Sequence, residues 1–225
     1  QQLLTDFPAA KLHETIPNFH NTPDRYRALL ETLERDPMHR AAQVQPEIEF
    51  ALARQAEMSA IQNALASGKL PLRVTHNDTK LNNVLLDAKT RKALCVIDLD
   101  TVMPGSSLYD FGDSIRFGAA TAAEDEKDLS KMEMNLERFR VFTRGYVRAC
   151  PGLTAKELEL LPMGAKTMTI ECGVRFLTDY LDGDHYFAVH RDGQNLDRAR
   201  TQFKLVADME KKWDEMRKIV EEESR

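Results

Sequence analysis

Three short apolar runs interrupt a chain whose hydrophobic positions otherwise follow helical spacing. The first twenty residues carry Pro8 and Pro17 and no steady period, and read as a linker hugging the surface. Thr22-Pro23 is an N-cap followed by proline at the first helical position, opening a helix through about Glu34, and Asp36-Pro37 repeats the signal. A second helix is predicted from Pro46 to Ser67, with Phe50, Leu52, Ala53, Met58, Ile61 and Leu65 on its apolar faces and Gly68 stopping it. The extended runs are Leu72-Arg73-Val74, Val84-Leu85-Leu86 and Ala93 to Ile97, the last two joined by the polar turn 87–92. These are the only strands the pattern supports. Helical spacing then returns over 108–120, 134–149, 155–181 and 196–222, with a capping box at Thr154 and Glu157. In the last helix Val206, Met209, Trp213, Met216 and Val220 form a stripe expected to pack on the parent domain. Arg140, Arg144 and Arg148 on one helical face, and the acidic run Glu124-Asp125-Glu126, read as solvated surface.

Composition narrows the class without deciding it. Hydrophobic residues make up 42% and charged residues 30% of 225, an ordinary globular balance. A net charge of −5 argues against a general nucleic-acid binder, and no apolar run approaches the roughly 18 residues that suggest a membrane span. Cys95, Cys150 and Cys172 are too few and scattered for a disulfide framework or a zinc cluster, so a reducing cytoplasm is the expected compartment. Cys95 and Cys172 read as core positions, and His185 and His190 as surface or packing residues without metal-ligand company. The chain opens Gln1-Gln2-Leu3-Leu4 without a methionine, so it is expected to be a piece of a larger protein.

The chemistry is concentrated in Thr75 to Asn83, of the form His-x-Asp-x-Lys-x-x-Asn, followed about 14 residues later by a strand ending in Ile97-Asp98-Leu99-Asp100. Asn83 starts one strand of a hairpin and Asp98 ends its neighbour, so antiparallel pairing brings both to one edge. An amide oxygen and a carboxylate converging there suit a hard ion such as Mg²⁺. Asp78, just before Asn83, is placed to accept a proton from a hydroxyl, and Lys80 supplies a cation for a phosphoryl group in transit. Those are the parts of a phosphoryl-transfer site. Literal Asp110-Phe111-Gly112 and His190-Arg191-Asp192 triplets stand in the wrong order to be the corresponding protein-kinase motifs.

This segment resembles the catalytic loop of the aminoglycoside phosphotransferase and choline kinase superfamily. His13 to Pro17, Thr75 to Val84, Val96 to Pro104, Tyr109 to Gly118 and Asn195 to Met209 resemble, more narrowly, the N-acetylhexosamine 1-kinases. The resemblance implies Asp78 as catalytic base, Asn83 and Asp98 as magnesium ligands, and Asp100 as a further ligand or supporting acid. It also implies that His76 and Asp110 brace the loop, and that ATP is the co-substrate. The fold it implies is mainly α with a small β-hairpin region, the C-terminal lobe of a kinase-like fold. No strand-rich region with a Lys–Glu pair precedes residue 70, so residues 1–21 are expected to link a missing N-terminal lobe to a helical lobe at 22–225.

The expected acceptor is the C1 hydroxyl of N-acetylglucosamine or N-acetylgalactosamine. Arg175 offers a planar fork of donors and Tyr186 a flat face with a hydroxyl, and the resemblance places sugar-binding residues at both positions. From spacing alone, Arg175 could instead pair with Asp179 while Tyr186 packs. The rival readings are a kinase for an aminoglycoside, choline or homoserine, a non-catalytic kinase-like binding module, and a metal-dependent hydrolase using Asp98 and Asp100. A cationic acceptor calls for a carboxylate-lined pocket, against which the Arg-bearing segment after residue 170 argues. A binding module would have lost the base or a metal ligand.

Overall fold

The computed structural model describes residues 4–225, so the first three positions of the expected linker lie outside the described residues. Among the described residues, eight α-helices, several short 3-10 turns and two separate two-stranded sheets make up the regular structure, the mainly α lobe with a small β region that the resemblance implied. Helix α1 (Thr22–Arg35) is capped by Asn21, whose side chain accepts from the Asp24 N–H, rather than by Thr22. Asp36 ends α1 in the left-handed region instead of starting another helix, and its carboxylate accepts the Arg40 and Ala41 N–H groups.

The long helix expected from Pro46 to Ser67 is broken into α2 (Gln45–Leu52), a 3-10 stretch at Gln55–Ser59, and α3 (Ala60–Ala66). Tertiary contacts decide the break. The Tyr26 hydroxyl donates to the Ala51 carbonyl, while Arg54 stacks on Phe50 and forms a two-pronged ion pair with Glu210. Gly68, at φ +69°, ends the run as expected.

Strand β1 (Arg73–Thr75) pairs antiparallel with β4 (Met103–Gly105), and β2 (Val84–Leu86) with β3 (Ala93–Val96). The pattern hid β4, because Met103-Pro104-Gly105 carries the two residues that ordinarily argue against a strand. In a two-stranded ribbon Pro104 loses nothing on its open edge. The β2–β3 hairpin leaves Leu85, Leu94 and Val96 about half exposed, at 49%, 66% and 52%. Cys95 is exposed there too, which corrects its assignment to the core.

Helices α4 (Ser107–Gly118), α5 (Leu136–Ala149), α6 (Ala155–Asp182), α7 (Gln194–Lys211) and α8 (Trp213–Glu223) form the body. Helix α6 runs through the middle and separates two apolar clusters, one around Phe111, Phe139, Leu161 and Met209, the other around Tyr26, Leu29, Val174 and Phe203. Helices α4 and α6 cross closely at a pair of glycines. A Cβ at Gly112 would stand 2.3 Å from the Gly164 carbonyl oxygen, and one at Gly164 2.7 Å from that of Leu108. This crossing seats α4 beneath the 75–83 loop.

The predicted capping box at Thr154 and Glu157 forms. Glu157 also receives both prongs of Arg73 and the Ser107 hydroxyl, tying β1 and α4 to the start of α6. The final helix breaks at Lys212, whose ammonium pairs with Asp208 and donates to the Met134 carbonyl. Val206, Met209, Met216 and Val220 are buried against the body, the expected fate of that stripe. Arg140 and Arg144 are not merely solvated, since they pair with Glu222 and Glu223 of α8. No described helix is long and apolar enough to cross a membrane.

Candidate active site

The loop leaving β1 is held almost entirely by side chains reaching its backbone. Asn77 sits at φ +65°, a region asparagine tolerates better than most non-glycine residues, and contacts from outside the loop hold it there. Asp110, in the first turn of α4, accepts the N–H groups of His76 at 3.1 Å and Asn77 at 2.8 Å. The Thr79 hydroxyl donates to the Asp110 carbonyl, and the Ser114 hydroxyl to the Thr79 carbonyl. The Asn77 amide donates to the Thr101 carbonyl at 2.9 Å, and the Thr75 hydroxyl donates to the Asn77 side-chain oxygen at 2.8 Å. Gly105 leaves room for this arrangement, because a Cβ there would lie 2.2 Å from the Thr75 hydroxyl.

His76 belongs to the same bracing. The Asp78 N–H donates to its Nδ1 and its Nε2 lies 3.0 Å from the Ile97 carbonyl, which fixes the Nε2–H tautomer. His76 thereby ties the loop to the end of the hairpin. The Ile97 N–H donates to the Asn83 carbonyl, extending the hairpin ladder by one step to the metal-candidate edge.

Asp78, Lys80 and Asn83 come together on this scaffold. Lys80 Nζ lies 2.8 Å from Asp78 Oδ2, and the Asn83 amide donates both to that oxygen at 2.9 Å and to the Asp78 carbonyl at 2.8 Å. With its nitrogen committed to Asp78, Asn83 keeps its side-chain oxygen as an acceptor. Asp98 follows Ile97 in the left-handed region, at φ 62°. Both Asp98 and Asp100 are solvent-exposed, and the Asp100 carbonyl receives the Thr15 hydroxyl. Among the described residues no three His, Cys, Asp or Glu side chains converge as a metal cage. A cation here would therefore draw on the Asn83 amide oxygen together with the aspartates, an all-oxygen set that suits a hard divalent ion.

Asp78 and Lys80 open into a cavity of about 370 Å³ whose far wall holds Arg175, Tyr186 and Phe187. Arg175 Nη2 donates to the Tyr186 hydroxyl at 3.2 Å, and its guanidinium lies 5.3 to 5.7 Å from the rings of Phe19, Tyr186 and Phe187. The spacing-based alternative for Arg175 does not form. Asp179 is occupied by the N–H groups of His185, Tyr186 and Phe187 and by the Asn195 amide. Tyr186 itself is 70% exposed, so it is not a packing residue.

Electrostatics within the cavity are nearly self-contained. Asp78 is paired with Lys80, and Glu171 with His20. Arg116, buried, bridges Asp113 at 2.8 Å and Glu124 at 2.7 Å. Burial alone would lower the Arg116 pKa, but Cys172, Asp113 and Glu124 together hold it well above its ordinary value. Burial pushes the Cys172 thiol up to about 12. Arg175 alone among these cations forms no ion pair with the described residues.

The residues that sequence reasoning missed come from segments read as bland. His20 closes the expected linker, Glu124 lies in a run taken as solvated surface, and Asp113, Arg116 and Glu171 sit inside helices. Only their convergence around Asp78 marks them, and nothing local in the sequence signals it.

Residues 3–140, well over half of the chain, match the profile of a family described as the phosphotransferase enzyme family, APH.

Proposed function

The chain belongs to the phosphotransferase enzyme family, and we propose that it directs the terminal phosphoryl group of ATP to the C1 hydroxyl of an N-acetylhexosamine. Family membership carries the coarser statement, a kinase-type transfer to a small molecule. The sugar is the finer step, and one observation carries it. The four carboxylates lining the cavity are each engaged by a cation of the protein, Asp78 by Lys80, Glu171 by His20, and Asp113 and Glu124 by a shared Arg116, with Arg198 3.9 Å from Glu124, while Arg175 is left to hydrogen-bond with Tyr186. A cationic acceptor such as choline or an aminoglycoside would meet carboxylates already engaged by Lys80, His20 and Arg116, and would meet Arg175 besides. A neutral polyol finds guanidinium donors, a phenol hydroxyl and aromatic faces.

In this reading Asp78 accepts the proton of the attacking hydroxyl, and general-base assistance of this kind is typically worth about 10²–10⁴-fold. Lys80, one hydrogen bond from that carboxylate, is the cation facing the transferred group. Asn83, Asp98 and Asp100 would hold a divalent ion, which we take to be Mg²⁺, and such an ion neutralises charge on the phosphates when bound. Arg175 and Tyr186 orient the sugar through its acetamido and hydroxyl groups. We also propose that contacts to the adenine side of ATP come from a further lobe, a reading supported by the exposed apolar face of the β2–β3 hairpin.

Sugar kinetics of the intact protein test the acceptor assignment. A charge-assisted hydrogen bond contributes about 1.5–3 kcal/mol, so Arg175→Ala should lower kcat/KM for N-acetylglucosamine roughly 10- to 150-fold by the same measure. The ATP KM should change far less. Unaltered sugar kinetics in Arg175→Ala and Tyr186→Phe, with the fold intact, would move the acceptor elsewhere.

A further inference from the structure

We infer that His20, held as an imidazolium by Glu171, is a positioning residue for Asp78, acting through the carbonyl of Asn77. The inference rests on the reading of Asp78 as the base. The His20 ring is buried, with Nδ1 2.8 Å from Glu171 Oε1 and Nε2 2.6 Å from the Asn77 carbonyl oxygen. A carbonyl can only accept, so Nε2 carries a proton. Glu171 accepts the Thr22 hydroxyl on its other oxygen at 2.5 Å, so it behaves as a carboxylate and Nδ1 carries a proton as well.

That carbonyl belongs to the peptide unit joining Asn77 to Asp78. The Asn77 N–H is already held by Asp110, and its side chain by Thr75 and Thr101. The N–H of that peptide unit donates to His76 Nδ1 at 3.3 Å, and His20 holds its other side, the carbonyl, so the two histidines together fix the plane that aims the base. Asn77 stands in the left-handed region, so a plane released at its carbonyl is left with the longer His76 contact as its restraint. The same pair reaches the acceptor wall. Glu171 lies one turn before Arg175 on α6, and Phe19, beside His20, lies under the Arg175 guanidinium.

The groups facing His20 are few. From α6 comes Glu171, from α4 Asp113 and the Tyr109 ring, 5.0 Å away, and from the loop the Asn77 carbonyl, while Arg175 and the Asp78–Lys80 pair line the same cavity. Burial lowers the His20 pKa, but the Glu171 charge and the hydrogen bonds more than offset it, and the net shift is upward. A raised pKa means that the strap is fully present below the unfolded value and is lost as pH rises through the folded one. Transfer should therefore weaken on the alkaline side as His20 deprotonates.

Two measurements on the intact protein test this. In ¹⁵N-histidine NMR of the wild type, both His20 ring nitrogens should be protonated at pH 7, and the ring should titrate above the ordinary histidine range. In His20→Gln the Asp78 amide resonance should move, and kcat for N-acetylglucosamine should fall about 10- to 100-fold, the scale of a small misplacement of a reacting group. The sugar KM should stay within about threefold of the wild-type value on the same argument, and the alkaline limb of kcat should disappear. A neutral His20 ring at pH 7, or wild-type kcat and pH profile in His20→Gln, would overturn the inference. If His20→Gln does not fold, the NMR titration decides alone. Absence of sugar phosphorylation by the wild type would instead overturn the acceptor reading, leaving the NMR results to judge His20.

Discussion

Replacing Asp110 by Asn tests whether the loop is held as described, because it removes charge and one acceptor while keeping shape. The two carboxylate oxygens accept the N–H groups of His76 and Asn77 at 3.1 and 2.8 Å. An asparagine keeps one oxygen and turns an N–H₂ group toward the other donor. One charge-assisted bond is lost, worth about 1.5–3 kcal/mol, and a backbone N–H is left without its acceptor. We expect a net destabilisation of about 3 kcal/mol. For a chain of this size about 2–4 °C of melting temperature accompanies each kcal/mol, which gives a drop of roughly 6–12 °C. The Thr79 hydroxyl bond to the Asp110 carbonyl is untouched, so α4 should stay docked and the loop alone should loosen. Calorimetry of the intact protein gives the melting shift, and kcat should fall about 10²-fold as the Asp78 carboxylate loses its aim. A melting shift under about 2 °C, set against that scale, with unchanged kcat would refute the bracing argument.

Other perturbations separate the parts of the site. Asp78→Asn should lower kcat roughly 10²- to 10⁴-fold, with little change in sugar affinity by calorimetry, because it removes the proton acceptor and the charge paired with Lys80 while the acceptor wall at Arg175 and Tyr186 is untouched. Asp98→Asn should raise the divalent-ion concentration needed for half-maximal rate, measured by titrating MgCl₂ at fixed ATP. Thiol labelling should be sharply selective. Exposed Cys95 should react promptly with a disulfide reagent at pH 8, whereas Cys172, half-buried in the cavity wall with its thiol pushed up to about 12, should react far more slowly. Equal labelling rates at the two positions would contradict the raised thiol of Cys172 in the cavity wall.

Much of this was legible from the chain because it was encoded locally. The His-x-Asp-x-Lys-x-x-Asn spacing, the 87–92 turn and the apolar run of β3 together foretold the hairpin, and the structure gathers Asp78, Lys80 and Asn83 within hydrogen-bond reach. The capping box at Thr154 and the Gly68 stop are likewise one-turn signals. Interactions that cross the chain were not legible. His20 meets Glu171 across 151 positions, and Arg54 meets Glu210 across 156, the second helping to break a helix that periodicity alone would continue. Strand β4 was hidden by Pro104 and Gly105, residues acceptable only because β1 is its single neighbour. Cys95 misled because apolar alternation usually marks a covered face, and this hairpin presents its apolar residues to solvent.

The central claim is that this site phosphorylates a neutral sugar, and a direct acceptor comparison tests it best. The intact protein, supplied with MgATP, would be offered N-acetylglucosamine, N-acetylgalactosamine, choline and an aminoglycoside in parallel, with products followed by ³¹P NMR. The account predicts a sugar 1-phosphate from at least one hexosamine, no product from either cation, and loss of the sugar product in Asp78→Asn. Phosphorylation of choline or the aminoglycoside, with both hexosamines untouched, would contradict it.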